Sequence, residues 1–260
     1  MDFEYIATNR PGPGCDLSEF GSELPGCECS SDKKCTDPSL CTCLRYGCNY
    51  DPLDGTLLSL SNRGQVDEDR PVFECGATCP CGPTCGNRVA QLGIQVPLDV
   101  FEAGEKGCGL KTLTPLHRGQ FVCEYAGEVI DLSEASTRLR SLPHGHPNYI
   151  FVLREHSISS DTPTTIVTCI DPSKVGNLAR FINHSCDPNL SIVPIRYDTI
   201  VPHLGMFANR DIQAHQELCY DYGGPHGQTT VTLSTKPCRC GSPNCRGFLP
   251  LDKDLFNAVQ

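Results

Sequence analysis

Short runs of alternating apolar and polar residues dominate the middle of the chain. Five runs have the β-branched and aromatic content typical of strands, and Gly, Pro, Asn and Asp separate them. The predicted strands are QFVCEYAGEVI (120–130), NYIFVLRE (148–155), TTIVTCID (164–171), LGMFANRDI (204–212) and ELCYDY (217–222). The pattern therefore predicts a mostly β domain, which we place at residues 94–235.

Two segments of this region have the apolar spacing of a helix instead. DLSEASTRLRSL (131–142) begins at Asp131 and has Glu134 three residues later, which is the order of a capping box. SKVGNLARFIN (173–183) is the second predicted helix. We therefore expect two short helices among the strands.

The segments on either side of the β region have a different composition. Residues 1–26 are polar and rich in Pro and Gly, which predicts a loosely ordered N-terminal arm. Residues 27–85 hold ten cysteines, interrupted by a polar stretch (49–70) that indicates a long loop. Cysteines return after residue 235. Two cysteine-rich modules are thus expected to flank the β domain.

Composition narrows the function further. The chain has 260 residues and 19 cysteines, and its first residues, MDFEYIATNRPGPG, lack the basic and apolar regions of a secretory signal. No apolar run approaches the roughly 20 residues of a membrane span, so we expect no membrane contact. A cysteine-rich chain of this kind points to a reducing compartment, where thiols hold metal more often than they form disulfides. A formal charge of -10 favours a basic partner such as a Lys/Arg-rich peptide.

Nine cysteines of the first module have nested spacings that suit metal. Closely spaced Cys-x-Cys pairs are hard to bridge as disulfides but converge easily on zinc, so metal is favoured over the disulfide alternative. Three sulfurs must each serve two ions if nine thiolates are to fill three four-coordinate sites. Cys48 breaks the spacing and is left as a free thiol. The nine are Cys27, Cys29, Cys35, Cys41, Cys43, Cys75, Cys79, Cys81 and Cys85.

The second module offers three ligands, one fewer than a tetrahedral zinc site needs. These are Cys238, Cys240 and Cys245, and the fourth predicted ligand is Cys186, in the distant sequence RFINHSCDPNL. Ligation by Cys186 would hold the tail against the Asn-His-Ser-Cys segment. The alternative is that Cys186 is a buried small residue, like Cys123.

The nine-cysteine block and the motifs GCGL, CEYAGEV, RFINHSCDPN, ELCYDYGG and CRCGSPNC resemble the pre-SET, SET and post-SET modules of histone-lysine N-methyltransferases. The resemblance covers about residues 25–252, in the family's order. It implies a SET-domain fold of small curved β-sheets, with a pseudo-knot of a kind otherwise rare. It divides the chain into an N-terminal arm (1–26), a pre-SET triangular zinc cluster (27–93), a SET catalytic domain (94–235), a post-SET zinc module (236–252) and a C-terminal tail (253–260).

The resemblance also implies a reaction, the transfer of methyl groups from S-adenosylmethionine to a lysine of the histone H3 tail. The family's essential tyrosine corresponds to Tyr222 in YDYGG, and a second channel hydroxyl to Tyr125 in CEYAGEV. Tyr220 stands where the family uses Phe or Tyr to set the product, and a tyrosine there favours mono- and dimethylation. The alternative role of each tyrosine is packing within a strand.

The implied cofactor site surrounds the glycine-rich turn EKGCGL, where the missing Cβ lets backbone approach a ligand closely. His184 is expected to hydrogen-bond the adenine and not to bind metal, and Phe248 to cover the cofactor. The implied cofactor contacts are Lys106, Gly107, Cys108, Gly109, Tyr149, Arg180, Asn183, His184 and Phe248.

The resemblance implies four zinc ions, three in the pre-SET cluster and one in the post-SET site. Cys27, Cys35 and Cys75 correspond to the sulfurs that bridge two ions. The partner it implies is the histone H3 tail or nucleosome, in chromatin and therefore in the nucleus. It leaves open whether the target is lysine 36 or lysine 9 of H3.

One position departs from the family pattern. Cys108 stands where Gly-Trp-Gly is common, and the chain has no Trp. A second hypothesis is therefore a zinc-stapled chromatin-binding module that has lost catalysis, although the complete tyrosine set and Asn183 favour the enzyme. A third, a zinc-dependent DNA binder, needs a basic face; 21 Lys and Arg against 31 Asp and Glu argue against it.

Overall fold

The computed structural model describes residues 3–30, 35–60, 67, 70–143, 145–157, 164–223 and 231–257. In these residues the chain forms strands of two to eight residues and three short helices. The elements are β1 Glu4–Tyr5, β2 Arg10–Pro11, α1 Leu17–Phe20, β3 Val72–Phe73, β4 Leu98–Glu102, β5 Cys108–Thr112, β6 Phe121–Glu124, β7 Glu128–Ile130, α2 Leu132–Arg140, β8 Phe151–Ser157, β9 Thr164–Asp171, β10 Val175–Gly176, β11 Asn183–His184, β12 Leu190–Arg196, β13 His203–Ala208, β14 Cys219–Tyr220, β15 Val231–Pro237, β16 Phe248–Asp252 and α3 Asp254–Asn257.

Two four-stranded sheets form the core, which confirms the predicted mostly β fold. One sheet has the order β3-β12-β13-β6 and the other β2-β7-β9-β8, while four further strand pairs surround them. Every residue of β13 is buried, and Leu204 and Met206 are fully enclosed. Burial of these side chains contributes to the apolar stabilisation of the SET region.

The predicted strand at 120–130 is two strands, because the chain passes from one sheet to the other within it. β6 ends at Glu124 and β7 begins at Glu128. Gly127 lies at the junction, where a Cβ would come within 2.6 Å of the Asp171 backbone, so only glycine fits. The junction leaves Tyr125 between the two sheets.

Helix α2 confirms the first helical prediction. The Asp131 carboxylate accepts a hydrogen bond from the Glu134 backbone N–H at 2.7 Å and caps the helix. Glu134 does not return the bond expected of a capping box; its carboxylate pairs with Arg138 at 2.8 Å, one turn later.

The helix predicted at 173–183 is wrong. The segment forms β10, a 3₁₀ turn over Leu178–Phe181, and β11. Asn177 explains the difference, since its side chain accepts from the Ala179 N–H at 3.0 Å and donates to the Glu124 carbonyl at 2.8 Å. Such side-chain bonds to the backbone compete with helix formation.

The prediction of a loosely ordered N-terminal arm is also wrong. β1 pairs in parallel with β10, and β2 pairs in parallel with β7. The stretch 49–70, expected to be a long loop, is also partly ordered. Its residues Tyr50 and Leu57 are buried and form an isolated β-bridge with each other. Residues 61–66, 68 and 69 of that stretch lie outside the described residues.

None of the helices in the described part of the chain is long and apolar enough to cross a membrane.

Candidate active site and cysteine clusters

Three tyrosines from different parts of the SET region converge on one buried point. Tyr125, at the junction of β6 and β7, lies 6.0 Å from Tyr220 of β14 between ring centroids, and Tyr220 lies 4.8 Å from Tyr222. Phe151 of β8 packs beside them, 6.1 Å from Tyr125 and 6.3 Å from Tyr220. Tyr125 and Tyr220 are 3% and 5% exposed, whereas Tyr222 is half-buried, so the cluster is buried on the side of Tyr125 and Tyr220 and reaches the surface at Tyr222.

Backbone carbonyls hold two of the three tyrosine hydroxyls. The Tyr125 hydroxyl donates to the Tyr149 carbonyl at 2.5 Å, and the Tyr222 hydroxyl donates to the Ile182 carbonyl at 3.0 Å. Burial raises the pKa of Tyr125, Tyr220 and Tyr222 above the ordinary tyrosine value. All three therefore remain neutral near pH 7, and can orient a ligand without adding charge.

Parallel pairing of β11 with β14 places Asn183 opposite Cys219 and His184 opposite Tyr220. The Asn183 amide donates to the Cys108 carbonyl at 3.0 Å and to the Glu217 carboxylate at 2.9 Å. These bonds engage both hydrogens of the amide, so its carbonyl oxygen is the atom left to accept from a ligand. The Cys108 thiol itself is half-buried and packs at the edge of the main core.

His184 lies between the tyrosine cluster and the tail. Its Nδ1 accepts a hydrogen bond from the Tyr222 backbone N–H at 3.2 Å, and its Nε2 lies 3.3 Å from the Cys186 sulfur. Burial lowers the pKa of His184 to about 4, so the imidazole is neutral near pH 7. An acceptor at Nδ1 requires the proton on Nε2.

The glycine-rich turn presents open backbone beside Asn183. Gly107 has φ 80°, which favours glycine, and a Cβ there would have no atom within 4 Å. Gly109 is tighter, since a Cβ would lie 2.8 Å from the Phe101 ring. The Lys106 ammonium forms an ion pair with the Glu217 carboxylate.

Arg180 and Tyr149 form a stacked pair at the same end of the site. The Arg180 guanidinium carbon lies 4.5 Å from the Tyr149 ring centroid and 4.3 Å from that of Phe3. Phe3 belongs to the N-terminal arm, and the sequence reasoning assigned it no role.

The tail cysteines and Cys186 converge as predicted. The four sulfurs of Cys186, Cys238, Cys240 and Cys245 lie within 4.8 Å of one another. The Cys186 and Cys238 sulfurs are 3.9 Å apart, close to the ~3.8 Å edge of a tetrahedron with Zn–S bonds of about 2.3 Å. Phe248 begins β16 on the surface and is 44% exposed. Its role as a cover for the cofactor stays a prediction.

The nine cysteines of the first module form one buried cluster, and all 19 cysteines of the chain are free thiols. Three overlapping groups of four sulfurs suit metal: Cys27, Cys43, Cys75 and Cys79; Cys27, Cys35, Cys75 and Cys81; Cys27, Cys29, Cys35 and Cys41. Cys27 belongs to all three groups, and Cys35 and Cys75 to two each, so the sulfurs expected to bridge are the shared ones. Cys85 lies outside these groups but in the same buried cluster, where its sulfur accepts from the Asn87 backbone N–H at 3.4 Å. Cys48 belongs to none of them and donates to the Thr36 carbonyl.

Sequence reasoning missed two further polar residues at the site. Glu217 joins Lys106 to Asn183, and its one sequence signal is its position directly before LCYDY. Arg246 follows the last tail cysteine. Its guanidinium donates to both carboxylate oxygens of Asp221 at 2.7 and 2.8 Å, and its backbone N–H donates to the Cys186 sulfur at 3.4 Å. Arg246 thus ties the tail to the segment that carries Tyr220 and Tyr222.

Comparisons with known proteins agree with this geometry. The family model for the SET domain matches residues 107–223, and that for the Pre-SET motif matches residues 1–88. The chain is 41% identical to histone-lysine N-methyltransferase SETMAR of Homo sapiens, over 99% of this chain and 38% of that protein. It is 40% identical to SETMAR of Rattus norvegicus, over 99% of this chain and 82% of that protein. The chain thus spans well under half of the human relative and most of the rat one.

Solved structures have the same fold. The methyltransferase domain of human SETMAR superposes with a TM-score of 0.82 at 39% identity, covering 97% of this chain and 90% of that one. KRYPTONITE in complex with mCHH DNA, H3(1-15) peptide and SAH gives a TM-score of 0.69 at 31% identity, covering 95% and 47%. The fold, the cysteine clusters and the matches together show that the chain belongs to the pre-SET and SET-domain family of histone-lysine N-methyltransferases.

Proposed function

We propose that this protein transfers methyl groups from S-adenosylmethionine to a lysine ε-amine in the histone H3 tail. The observation that carries the proposal is the convergence of Tyr125, Tyr220 and Tyr222 in an aromatic cluster, beside the open backbone of Gly107. Family membership supports it, as does the relative solved with an H3 peptide and SAH.

The tyrosine cluster suits a neutral amine. A free lysine has a pKa of about 10.4, so roughly one side chain in 2,500 is neutral at pH 7. A dry channel disfavours the ammonium form and so promotes loss of the proton. The rigid, neutral hydroxyls of Tyr125 and Tyr222 can hold the amine nitrogen in line with a methyl group without pairing with the charged form.

The residues around Gly107 fit S-adenosylmethionine, which supplies an electrophilic methyl group when bound. The free carbonyl oxygen of Asn183 can accept from the amino group of the ligand. The open backbone at Gly107 permits close approach. Lys106, Cys108, Gly109, Tyr149, Arg180 and His184 border the same region, and we assign them to the cofactor site together with Phe248 of the tail.

The cysteine clusters fit zinc with every coordination position filled by thiolate, so their role is structural. We propose three ions in the first cluster, with Cys27, Cys35 and Cys75 as the bridging sulfurs, and one ion in the tail. The first cluster replaces an apolar core in a polar segment. The tail ion would hold residues 236–252 against the segment that carries Asn183 and His184.

Tyr220 bears on the number of methyl groups transferred. Its ring fills the space between Tyr125 and Tyr222, and its hydroxyl adds bulk and a hydrogen-bonding group beside the amine. We therefore propose mono- and dimethylation as the main products. A basic, unfolded H3 tail in the nucleus suits a chain with a formal charge of -10.

The test is intact-mass spectrometry of H3 tail peptides incubated with the protein and S-adenosylmethionine. Added masses of one or two methyl groups are expected, and fragmentation would identify the lysine. No transfer, with zinc and cofactor both shown to bind, would favour the chromatin-binding module. No cofactor binding would instead implicate Cys108 at the position where the family commonly has Trp.

A further inference from the structure

The N-terminal arm reaches the cofactor side of the site through one side chain. Phe3 lies 5.9 Å from Phe181, edge to face, and its ring centroid is 4.3 Å from the guanidinium carbon of Arg180. Tyr149 lies 4.5 Å from the same carbon. Arg180 is thus held by the arm as well as by the SET region.

We propose that Phe3 is a positioning residue for the cofactor site, and that it acts by holding the Arg180 guanidinium in place. The inference rests on the proposed function, in which Arg180 contacts the cofactor. Phe3 itself touches Arg180 and Phe181 and acts through them.

Arg180 has few polar partners that could hold it instead. Its Nη2 donates to the Ser173 carbonyl at 3.2 Å, and its buried Nε has no hydrogen-bond partner among the described residues. No carboxylate of the described residues forms a salt bridge with it. Aromatic faces attract a cation at this distance, and the attraction grows as the cation loses water. The rings therefore decide where the guanidinium lies.

Backbone pairing fixes the position of Phe3. The Glu4 N–H donates to the Lys174 carbonyl at 2.8 Å, and the Ile6 N–H donates to the Gly176 carbonyl at 2.8 Å. These bonds tie β1 to the strand that precedes the turn containing Arg180. This pairing fixes the backbone next to Phe3, and from there the ring packs against the guanidinium and the Phe181 ring.

The arm then continues to the segment that follows Tyr125. The Asn9 side chain accepts from the Gly127 N–H at 3.1 Å, and the Arg10 N–H donates to the Gly127 carbonyl at 3.1 Å. Gly127 is two residues after Tyr125. Residues 3–12 thus contact two segments next to the site: the segment just before Arg180 and the segment just after Tyr125.

The experiment measures the dissociation constant of S-adenosylmethionine by calorimetry for the full chain and four variants. Phe3→Ala removes the ring, Phe3→Leu keeps apolar bulk without an aromatic face, and Phe3→Trp keeps the face. Tyr5→Ala is the matched control, because Tyr5 lies on the same arm strand and is 56% exposed. Melting temperatures report whether each variant folds.

Phe3→Ala and Phe3→Leu are expected to weaken binding roughly tenfold, whereas Phe3→Trp and Tyr5→Ala stay within about twofold of the wild type. Wild-type affinity in Phe3→Leu would overturn the proposal, since bulk alone would then suffice. If Phe3→Ala fails to fold, Phe3→Leu against Phe3→Trp decides the question.

A second readout separates this proposal from the proposed function. The Nε–H resonance of Arg180 can be assigned by its loss in Arg180→Lys, and the ring currents of Phe3 and Tyr149 should displace it. The chemical shift of this resonance is expected to change in Phe3→Leu and to stay the same in Tyr5→Ala. If the wild type binds no cofactor, the proposed function fails. The Arg180 resonance then remains as the test of whether Phe3 holds the guanidinium. An unmoved resonance in Phe3→Leu would overturn that contact.

Discussion

The rings of Tyr220 and Tyr222 lie 4.8 Å apart between centroids, at an interplanar angle of 45°. Tyr220 ends β14, and Tyr222 lies in the turn that follows, where its ring packs beside that of Tyr220. Asp221 then pairs with Arg246 of the tail. One three-residue segment thus serves both the tyrosine cluster and the attachment of the tail.

Tyr220→Phe is expected to shift the product towards trimethyllysine. The change removes one hydroxyl from the cluster and leaves the ring packing against Phe151 intact. Mass spectrometry of H3 peptides over a time course measures the product distribution. Tyr197→Phe is the control, because Tyr197 stacks on His203, away from the tyrosine cluster. An unchanged distribution in Tyr220→Phe would remove Tyr220 from the determinants of the product.

Cys245→Ser is expected to weaken S-adenosylmethionine binding roughly tenfold, because a tail zinc site with three thiolates holds the tail less firmly. The measurement is the dissociation constant by calorimetry, with zinc content determined on the same sample. Cys48→Ser is the matched control, since Cys48 lies outside the metal-suited groups. Equal cofactor affinity in the two variants would contradict a role of the tail in covering the cofactor.

Chelation of zinc is expected to unfold the first module before the SET region. The nine sulfurs of that module are the core of their segment, whereas the SET region has its own apolar core. Native mass spectrometry should find four zinc ions per chain. A strong chelator should lower the melting temperature by more than about 10 °C. A chain that keeps its melting temperature without metal would show that the thiols alone stabilise the cluster.

The rate of methyl transfer is expected to rise with pH from about 7 to about 9. The neutral lysine amine becomes more abundant as the pH approaches its pKa of about 10.4. The tyrosines impose no fall in this range, because burial raises the pKa of Tyr125, Tyr220 and Tyr222 further above 10.0. A pH profile of kcat/KM tests this, with cofactor affinity measured at each pH as the control. A decline beginning near pH 8 would indicate an ionising tyrosine.

Local patterns in the sequence predicted the parts of the fold that depend on neighbouring residues. Thr164–Asp171 is a strand with the bounds that were expected, and Asp131 begins helix α2. The convergence of Cys186 with the tail followed from counting ligands, because three thiolates leave one position of a zinc site open.

Contacts between distant segments explain what the sequence did not predict. The apolar spacing at 173–183 matches a helix, but Gly176 pairs with Tyr5 and the Asn177 side chain reaches Glu124. The polar N-terminal arm is ordered because its two strands pair with β7 and β10. Phe3 carries no local signal, and Glu217 carries only its position before LCYDY, since each acquires its role from a partner more than 30 residues away.

The most direct measurement compares the wild type with Tyr222→Phe on histone octamers and H3 tail peptides by mass spectrometry. The wild type is expected to add one or two methyl groups to an H3 lysine. Tyr222→Phe should lose at least about a hundredfold in rate while keeping its zinc, its fold and its affinity for S-adenosylmethionine. Full transfer by Tyr222→Phe, or none by a wild type that binds both zinc and cofactor, would contradict the proposed enzyme.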